Sequence, residues 1–370
     1  MKILLLGDYS GLHATLARCL SRRGHHVTVI SDRGNYMMTD TDICLARDPG
    51  TLGSVRYLLD CLSLLPRLRG YDVVQLINPN FLKLKPSKIR FFYDYLRSNN
   101  RSVFLTLAGN DYYFVKACIE GKLFRYSEFR IGDKPTSYAR RYPEREYAWL
   151  GKSNERYARH VYETIDGAMA VLPEYFMSAV PVLSERLSYT GIPVDVDNIK
   201  LPPADFSVDI PVTFFVGIKS EMELQKGFDI ILPAVKQILD RYPDRCRLKI
   251  VRDLPLDKYL NEMAGAHVVI DQLYSYSPAT NALMTMASGR VALSGAEPEY
   301  YDFIKEKDAY PVVRLNPYTD LQSDLIRLIT DRDSLISRSI DGPSFVRRHN
   351  DVNIVADRFV AHWMSVLDKY

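Results

Sequence analysis

The chain has 370 residues, with 48 Lys and Arg against 45 Asp and Glu, a formal net charge of +3. Its 47% apolar and 25% charged residues are typical of a globular protein and exclude disorder as the main state. The length predicts two or three domains. No apolar run reaches the roughly 18 residues of a membrane span, and the apolar start is interrupted by Gly7 and Asp8 rather than continuing as a signal peptide, so a cytoplasmic location is expected.

The five cysteines are odd in number and widely spaced, without a C-x-x-C pair. We therefore expect buried thiols, and neither a disulfide framework nor structural zinc. The small net charge and the absence of a recognition motif argue against nucleic acid as a partner.

The first half alternates between strand and helix patterns. Residues 2–6 form a short, mostly apolar run that predicts a strand. Residues 7–11 form a glycine-containing turn, and residues 12–20 an amphipathic helix before a second strand at 27–30. Val55, Leu58, Leu59 and Leu62 predict a further amphipathic helix. Later segments repeat the alternation at 72–77, 89–96, 103–107 and 168–172.

The same alternation starts again after a Pro-containing, aperiodic stretch at 195–209. A strand at 212–216 precedes an apolar-striped helix at 228–239, and further elements follow at 248–251, 256–263, 268–270, 282–287 and 291–293. This pattern predicts two tandem, doubly wound Rossmann-like α/β domains that face across a cleft. The expected bounds are 1–200, 201–345 and a C-terminal helix at 346–370 that crosses back to the first domain.

A basic, tyrosine-rich segment at 122–160 breaks this rhythm. It holds ten Lys and Arg against five acidic residues, a net charge of +5, with five interleaved tyrosines. One interpretation is a solvated helical excursion of the first domain. The other is a face for an anionic acceptor at a membrane surface, which would place the protein peripherally at the inner face of the membrane.

The first loop, residues 7–13, offers small residues at a helix start without a G-x-G-x-x-G fingerprint. Gly11 is either a simple turn glycine or part of an anion-binding loop. His13 is either a satisfied surface histidine or a contact to substrate.

Phosphate-binding features concentrate in the second half. Lys219 and Lys226 flank a strand–loop–helix junction, where two ammonium groups and a helix N-terminus can hold a diphosphate. A polar turn precedes the helix expected near residue 281, and Ser277 or Thr280 is a candidate cap. The alternatives are an ordinary capped helix and a phosphate site formed by Ser277, Ala279, Thr280 and Asn281.

Two carboxylates, Glu297 and Glu299, follow the next strand in a loop. They are either simply solvated or part of the rim of the same site.

These residues resemble the family 4 glycosyltransferases of the GT-B fold over nearly the whole chain. Val216-Gly217 and Lys226-Gly227 match that family's phosphate-binding strand and helix, with Lys219 replacing an arginine. Residues 283–289 match its Leu-Glu-Ala-Met-Ala-x-Gly motif at four of the six specified positions. Pro298-Glu299 resembles its Pro-Glu, and Gly109-Asn110-Asp111 its Gly-x-Asp.

The resemblance departs at the family's two glutamates, which fall on Tyr276 and Met284. A methionine cannot accept hydrogen bonds from ribose hydroxyls as a carboxylate does. We hypothesise that Glu297 or Glu299 replaces that contact.

The resemblance implies a glycosyltransferase that takes a nucleotide-activated sugar as donor and a glycan or lipid-linked glycan as acceptor. It also implies retention of configuration and a site without metal or other cofactor. Asp111 and His13 are the candidate catalytic residues. A sugar-nucleotide epimerase of the same fold and a catalytically inactive partner subunit remain as alternatives, and the absent dinucleotide fingerprint disfavours a nicotinamide-dependent oxidoreductase.

Overall fold

The computed structural model describes residues 1–32 and 41–368. They divide into two compact units. The first comprises Met1–Ala117, Glu144–Pro193 and the helix that begins at Val352; the second comprises Cys118–Pro143 and Val194–Asp351. The expected α/β class with two Rossmann-like domains is confirmed.

The first unit is built on a parallel seven-stranded sheet with the order β3-β2-β1-β4-β5-β8-β9. Its strands are β1 (Lys2–Leu6), β2 (His26–Ser31), β3 (Ile43–Cys44), β4 (Val73–Leu76), β5 (Ser102–Leu107), β8 (Gly167–Ala170) and β9 (Leu187–Tyr189). Its helices are α1 (Leu12–Arg22), α2 (Gly50–Ser63), α3 (Pro86–Asn99), α4 (Tyr112–Glu120, which runs on into the second unit), α6 (Pro143–Leu150), α7 (Lys152–Thr164), α8 (Pro173–Leu183) and α15 (Val352–Leu367).

The second unit is built on a parallel five-stranded sheet with the order β11-β10-β12-β13-β14. Its strands are β10 (Val212–Ile218), β11 (Cys246–Arg252), β12 (Val268–Ile270), β13 (Val291–Ser294) and β14 (Val313–Arg314), beside a hairpin of β6 (Arg130–Ile131) and β7 (Lys134–Pro135). Its helices are α5 (Ser137–Arg141), α9 (Phe228–Arg241), α10 (Leu256–Met263), α11 (Thr280–Ala287), α12 (Pro298–Ile304), α13 (Leu321–Thr330) and α14 (Arg332–Asn350).

Each sheet has a point where the strand order reverses. In the first unit it lies between β1 and β4, and in the second between β10 and β12. Ligands of open α/β sheets bind beyond the carboxyl ends of the strands at such points. A ligand is therefore expected to contact the loops that follow β1, β4, β10 and β12.

The bounds of the units differ from the expected ones in two places. Residues 118–143, expected in the first domain, lie in the second unit, where the Tyr126 ring stacks on Tyr276. The C-terminal helix, expected to begin at residue 346 and to cross back to the first domain, begins at Val352 as α15 and belongs to the first unit, because its apolar face packs on the core formed by β1, β5 and α1. There the indole of Trp363 donates a hydrogen bond from Nε1 to Oε1 of the buried Gln75 at 2.8 Å.

Helix α2 presents apolar side chains to solvent. Val55, Leu59 and Leu62 are exposed, and the helix is held by the buried side chains of Tyr57 and Cys61. Across the described residues, no helix combines the length and apolar character needed to cross a bilayer.

Candidate functional site

The centre of the second unit's site is a carboxylate held by three donors. Asp271 directly follows β12, and its side chain is 1% exposed. Lys226 Nζ lies 2.9 Å from Asp271 Oδ1, and Asn281 Nδ2 lies 3.1 Å from the same oxygen. Ser294 Oγ, at the end of β13, donates to Asp271 Oδ2 at 3.2 Å. This cluster fixes the Lys226 ammonium at the reversal point of the sheet while leaving its side chain 21% exposed.

The position of Asn281 is fixed by a tyrosine of helix α10. Tyr259 donates from Oη to Asn281 Oδ1 at 2.7 Å, and burial raises the pKa of this phenol above its usual value. The Tyr259 ring occupies the space above Gly217, where an added Cβ would come within 2.2 Å of ring carbon Cε2. Glycine at 217 is therefore required for the close approach of ring and strand.

Helix α11 begins at Thr280, and its N-cap residue, Ala279, makes no side-chain hydrogen bond. The predicted cap by Ser277 or Thr280 is thus wrong. Ser277 is fully buried, and its amide donates to Ser275 Oγ at 3.3 Å. The first N–H groups of a helix have no partner within the helix, so without a side-chain cap they are suited to bind an anion.

Lys219 lies apart from this cluster. Its ammonium pairs with Glu221 at 3.2 Å, and its side chain is 39% exposed. Of the two predicted lysines, only Lys226 forms a hydrogen bond with Asp271, the residue that Asn281 also contacts.

Glu297 and Glu299 bind residues of the segment 118–143. Glu297, 2% exposed, accepts hydrogen bonds from Tyr126 Oη at 2.8 Å, Asn316 Nδ2 at 2.5 Å and Arg125 Nη2 at 3.1 Å. Glu299 pairs with Arg125 Nη1, and this hydrogen bond holds the pKa of the Glu299 carboxyl below its usual value. The contact of either carboxylate with a ribose stays a prediction. A ribose hydroxyl would have to compete with these internal donors for the carboxylate oxygens.

Tyr276, at one of the two departures from the family motif, anchors the same segment. Its ring stacks on Tyr126 at 4.5 Å between centroids, and its Oη accepts the amide N–H of Arg125 at 2.6 Å. The guanidinium of Arg125 also lies over the ring at 5.4 Å. Sequence reasoning missed Arg125, Tyr126 and Asp271. Only Asp271 carried a recognisable signal, as a carboxylate immediately after a buried strand.

In the first unit, Asp8 of the loop after β1 binds the first turn of the helix that follows. Asp8 Oδ1 accepts the amide N–H of His13 at 2.9 Å and so caps α1. Gly11, with φ of 74°, is the backbone N-cap of that helix. The Asp8 carboxylate already binds the N–H groups at the start of α1. The structure therefore favours Gly11 as a turn residue over Gly11 as part of an anion-binding loop.

His13 is fully buried rather than on the surface. Its Nδ1 lies 2.7 Å from the carbonyl oxygen of Gly7, and its Nε2 lies 3.4 Å from Thr106 Oγ1, which accepts a hydrogen bond from Gln75. Burial lowers the pKa of His13 to about 4, so the imidazole is neutral at pH 7.

Asp111 is 4% exposed and held by two donors of its own unit. Oδ1 accepts the amide N–H of Phe114 at 2.8 Å, and Oδ2 accepts a hydrogen bond from Tyr162 Oη. Burial raises the pKa of its carboxyl. The arrangement caps α4 and leaves His13 and Asp111 in different hydrogen-bond networks.

A small cavity of about 70 Å³ lies beyond the carboxyl ends of β1, β2 and β4. Its polar wall includes Asp8, Asp32, Asn80 and Lys83, and Lys83 pairs with Asp32. The cavity coincides with the reversal point of the first sheet.

The basic segment 122–160 is divided between the two units. Tyr126, Tyr138 and Tyr157 are buried, so they do not form an exposed aromatic face. Among the described residues, no group of three or more His, Cys, Asp or Glu is placed to hold a metal ion.

Solved structures share this architecture over the full chain. Sucrose-phosphate synthase from Thermosynechococcus elongatus is 13% identical, with 100% of both chains covered and a TM-score of 0.65. HepE from Anabaena, in complex with UDP-glucose, is 13% identical, with 99% of this chain and 100% of HepE covered and a TM-score of 0.61. MnaA from S. aureus, with UDP, is 15% identical, with 100% and 98% covered and a TM-score of 0.55.

No protein-family model matches the sequence, and no curated protein matches it. At such low identity, the structural likeness establishes the fold. The chain has the two-domain GT-B fold, which confirms the fold expected from the family 4 resemblance.

Proposed function

We propose that this chain is a glycosyltransferase that moves a sugar from a uridine-diphosphate donor to a hydroxyl of a glycan or lipid-linked glycan in the cytoplasm. The observation that supports it most directly is the Lys226 ammonium, fixed by Asp271 at the sheet reversal beside the uncapped start of α11. A fixed cation and free helix N–H groups together can bind the leaving diphosphate without a metal. The structures of HepE with UDP-glucose and of MnaA with UDP support this choice of nucleotide.

The two units would divide the work. The second unit would hold the donor, and the cavity at the reversal point of the first sheet would receive part of the acceptor. Glycosyl transfer passes through an oxocarbenium-like transition state, which a nearby anionic diphosphate stabilises. Because Asp111 is 4% exposed and already held by Tyr162 and a backbone amide, it is poorly placed to remove a proton from the acceptor.

One observation favours a second candidate, a catalytically inactive partner subunit. Tyr276, where the resembled family has a glutamate, is stacked under Tyr126 and accepts the Arg125 amide, so that this position presents no carboxylate. A protein of this kind would bind nucleotide or a second transferase without turnover.

The first test is thermal melting of the protein with UDP, GDP, ADP, CMP, dTDP or NAD. A ligand at about 100 times its Kd adds about 2.7 kcal/mol, a shift of roughly 5–10 °C for a unit of this size. We expect UDP to give the shift in the original chain. Lys226→Met should weaken UDP binding in calorimetry at least about tenfold, and Lys236→Met, an exposed lysine on α9, should not.

Product analysis then separates the candidates. Sugar transfer from a UDP-sugar to an added glycan supports the proposal, and NMR of the product reports its anomeric configuration. Conversion of the UDP-sugar without an acceptor would indicate an epimerase, and UDP binding without turnover an inactive partner. A shift with NAD alone would refute the proposal.

A further inference from the structure

The ring of Tyr259, on α10, lies on one face of strand β10. Phe215 and Gly217 are two positions apart on this strand, so they share a face of the sheet. The Tyr259 ring meets the buried ring of Phe215 edge-on, with 5.2 Å between the centroids and 77° between the planes. At Gly217 the absence of a Cβ leaves room for the same ring. These two contacts fix the position of the phenol oxygen.

The Tyr259 hydroxyl fixes the orientation of the Asn281 amide. It donates to Oδ1 at 2.7 Å, and Nδ2 of the same amide donates to Asp271 Oδ1 at 3.1 Å. The reversed amide would turn its oxygen toward the Asp271 carboxylate and lose that hydrogen bond, because two acceptors would then face each other. Burial raises the pKa of the Tyr259 phenol, and the charge of Asp271 adds to this effect, so the hydroxyl keeps its proton at neutral pH.

The carboxylate oxygen that Asn281 contacts also binds the Lys226 ammonium. Asp271 Oδ1 lies 2.9 Å from Lys226 Nζ, while Ser294 Oγ donates to Oδ2 at 3.2 Å. The Asp271 side chain is 1% exposed, so these donors, and not bulk water, compensate its charge. A chain of hydrogen bonds therefore runs from Tyr259 on α10, through α11 and the end of β12, to the lysine just before α9.

We propose that Tyr259 is a positioning residue for phosphate binding: through Asn281 and Asp271 it holds the Lys226 ammonium where the diphosphate of the donor binds. The inference rests on the proposed function, because it takes the ligand to be that diphosphate. An ammonium that is already held in place loses less side-chain freedom when it binds a phosphate, so its affinity for the phosphate is higher. The Tyr259 hydroxyl acts at a distance, since its proton is donated to Asn281.

The test is isothermal titration calorimetry of the full chain with UDP and with inorganic pyrophosphate. Tyr259→Phe removes the hydroxyl and keeps the ring on β10. The matched control, Tyr301→Phe, removes the hydroxyl of another buried tyrosine of the second unit, on α12. We expect Tyr259→Phe to weaken the binding of both ligands about three- to tenfold, and the control to leave both affinities unchanged.

Two double variants show whether Tyr259 acts through the other residues of the chain of hydrogen bonds. In the Lys226→Met background, and likewise in the Asn281→Ala background, Tyr259→Phe should weaken binding by less than about twofold. A tyrosine that only supports the packing of the unit, or that contacts the ligand itself, would weaken binding by the same factor in every background.

The outcomes separate this inference from the proposed function. Unchanged affinity of Tyr259→Phe for a ligand that the original chain binds would overturn the inference and leave the proposed function intact. Equal weakening in the original and the Lys226→Met backgrounds would also overturn it. Binding of pyrophosphate without UDP would refute the uridine donor alone, and the pyrophosphate affinities would then decide the role of Tyr259. Failure of the original chain to bind either ligand would overturn both.

Discussion

The ion pair at the centre of the second unit's site gives the sharpest prediction. Lys226 Nζ lies 2.9 Å from Asp271 Oδ1, and the two side chains are 21% and 1% exposed. Lys226→Met keeps most of the aliphatic stem and removes the charge. The change therefore leaves a buried carboxylate without its cation.

The expected cost follows from the remaining partners. Breaking a buried pair by removing one partner costs about 3–5 kcal/mol. Asp271 keeps its hydrogen bonds from Asn281 and Ser294, and Lys226 is a fifth exposed, so we expect about 2–3 kcal/mol. For the second unit this loss lowers Tm by roughly 5–10 °C.

Differential scanning calorimetry measures the effect, and a double-mutant cycle isolates its cause. Asp271→Asn in the Lys226→Met background removes the uncompensated charge and should restore at least about 1.5 kcal/mol. Lys236→Met on the exposed face of α9 is the matched control and should change stability by less than about 0.5 kcal/mol.

The reasoning is refuted by either of two results. One is a loss below about 0.5 kcal/mol in Lys226→Met, which would mean that water replaces the ammonium without cost. The other is additivity of the two single changes, which would mean that Lys226 and Asp271 do not interact.

Two further predictions concern the buried histidine and the stacked tyrosine. His13 has a pKa lowered to about 4 by burial, so the unfolded chain binds more protons between pH 6.5 and 4, and stability falls through this window by up to about 3 kcal/mol as the pH falls. Urea unfolding at a series of pH values should show this slope reduced in His13→Gln and unchanged in the exposed-site variant His26→Gln; an unchanged slope in His13→Gln would contradict the assignment. Tyr276→Phe removes the oxygen that accepts the Arg125 amide at 2.6 Å and should cost about 1–3 kcal/mol by chemical denaturation. Tyr310→Phe, at a side chain 53% exposed, is its control, and equal effects of the two changes would show that the hydrogen bond contributes nothing specific.

Local sequence was sufficient to predict a structural element wherever the residue pattern of that element alone indicates its type. The apolar run at 2–6 predicted β1, whose burial comes from neighbours on both sides of a parallel strand. Local sequence also places Lys226 at a strand–loop–helix junction, between β10 and α9, and its contact with phosphate stays a prediction. The alternation of such elements along the chain determined the α/β class and the two-domain fold.

Positions that depend on a distant partner were decided by the tertiary structure alone. Tyr126 and Tyr276 are 150 residues apart, and neither local sequence predicts that their rings stack. The same holds for Arg125 with Glu297 and Glu299. The apolar face of α2 illustrates the limit most clearly, since periodicity reveals that a helix has such a face but not whether a neighbour covers it. Burial is a property of the packed chain, because it depends on which surfaces the fold brings into contact.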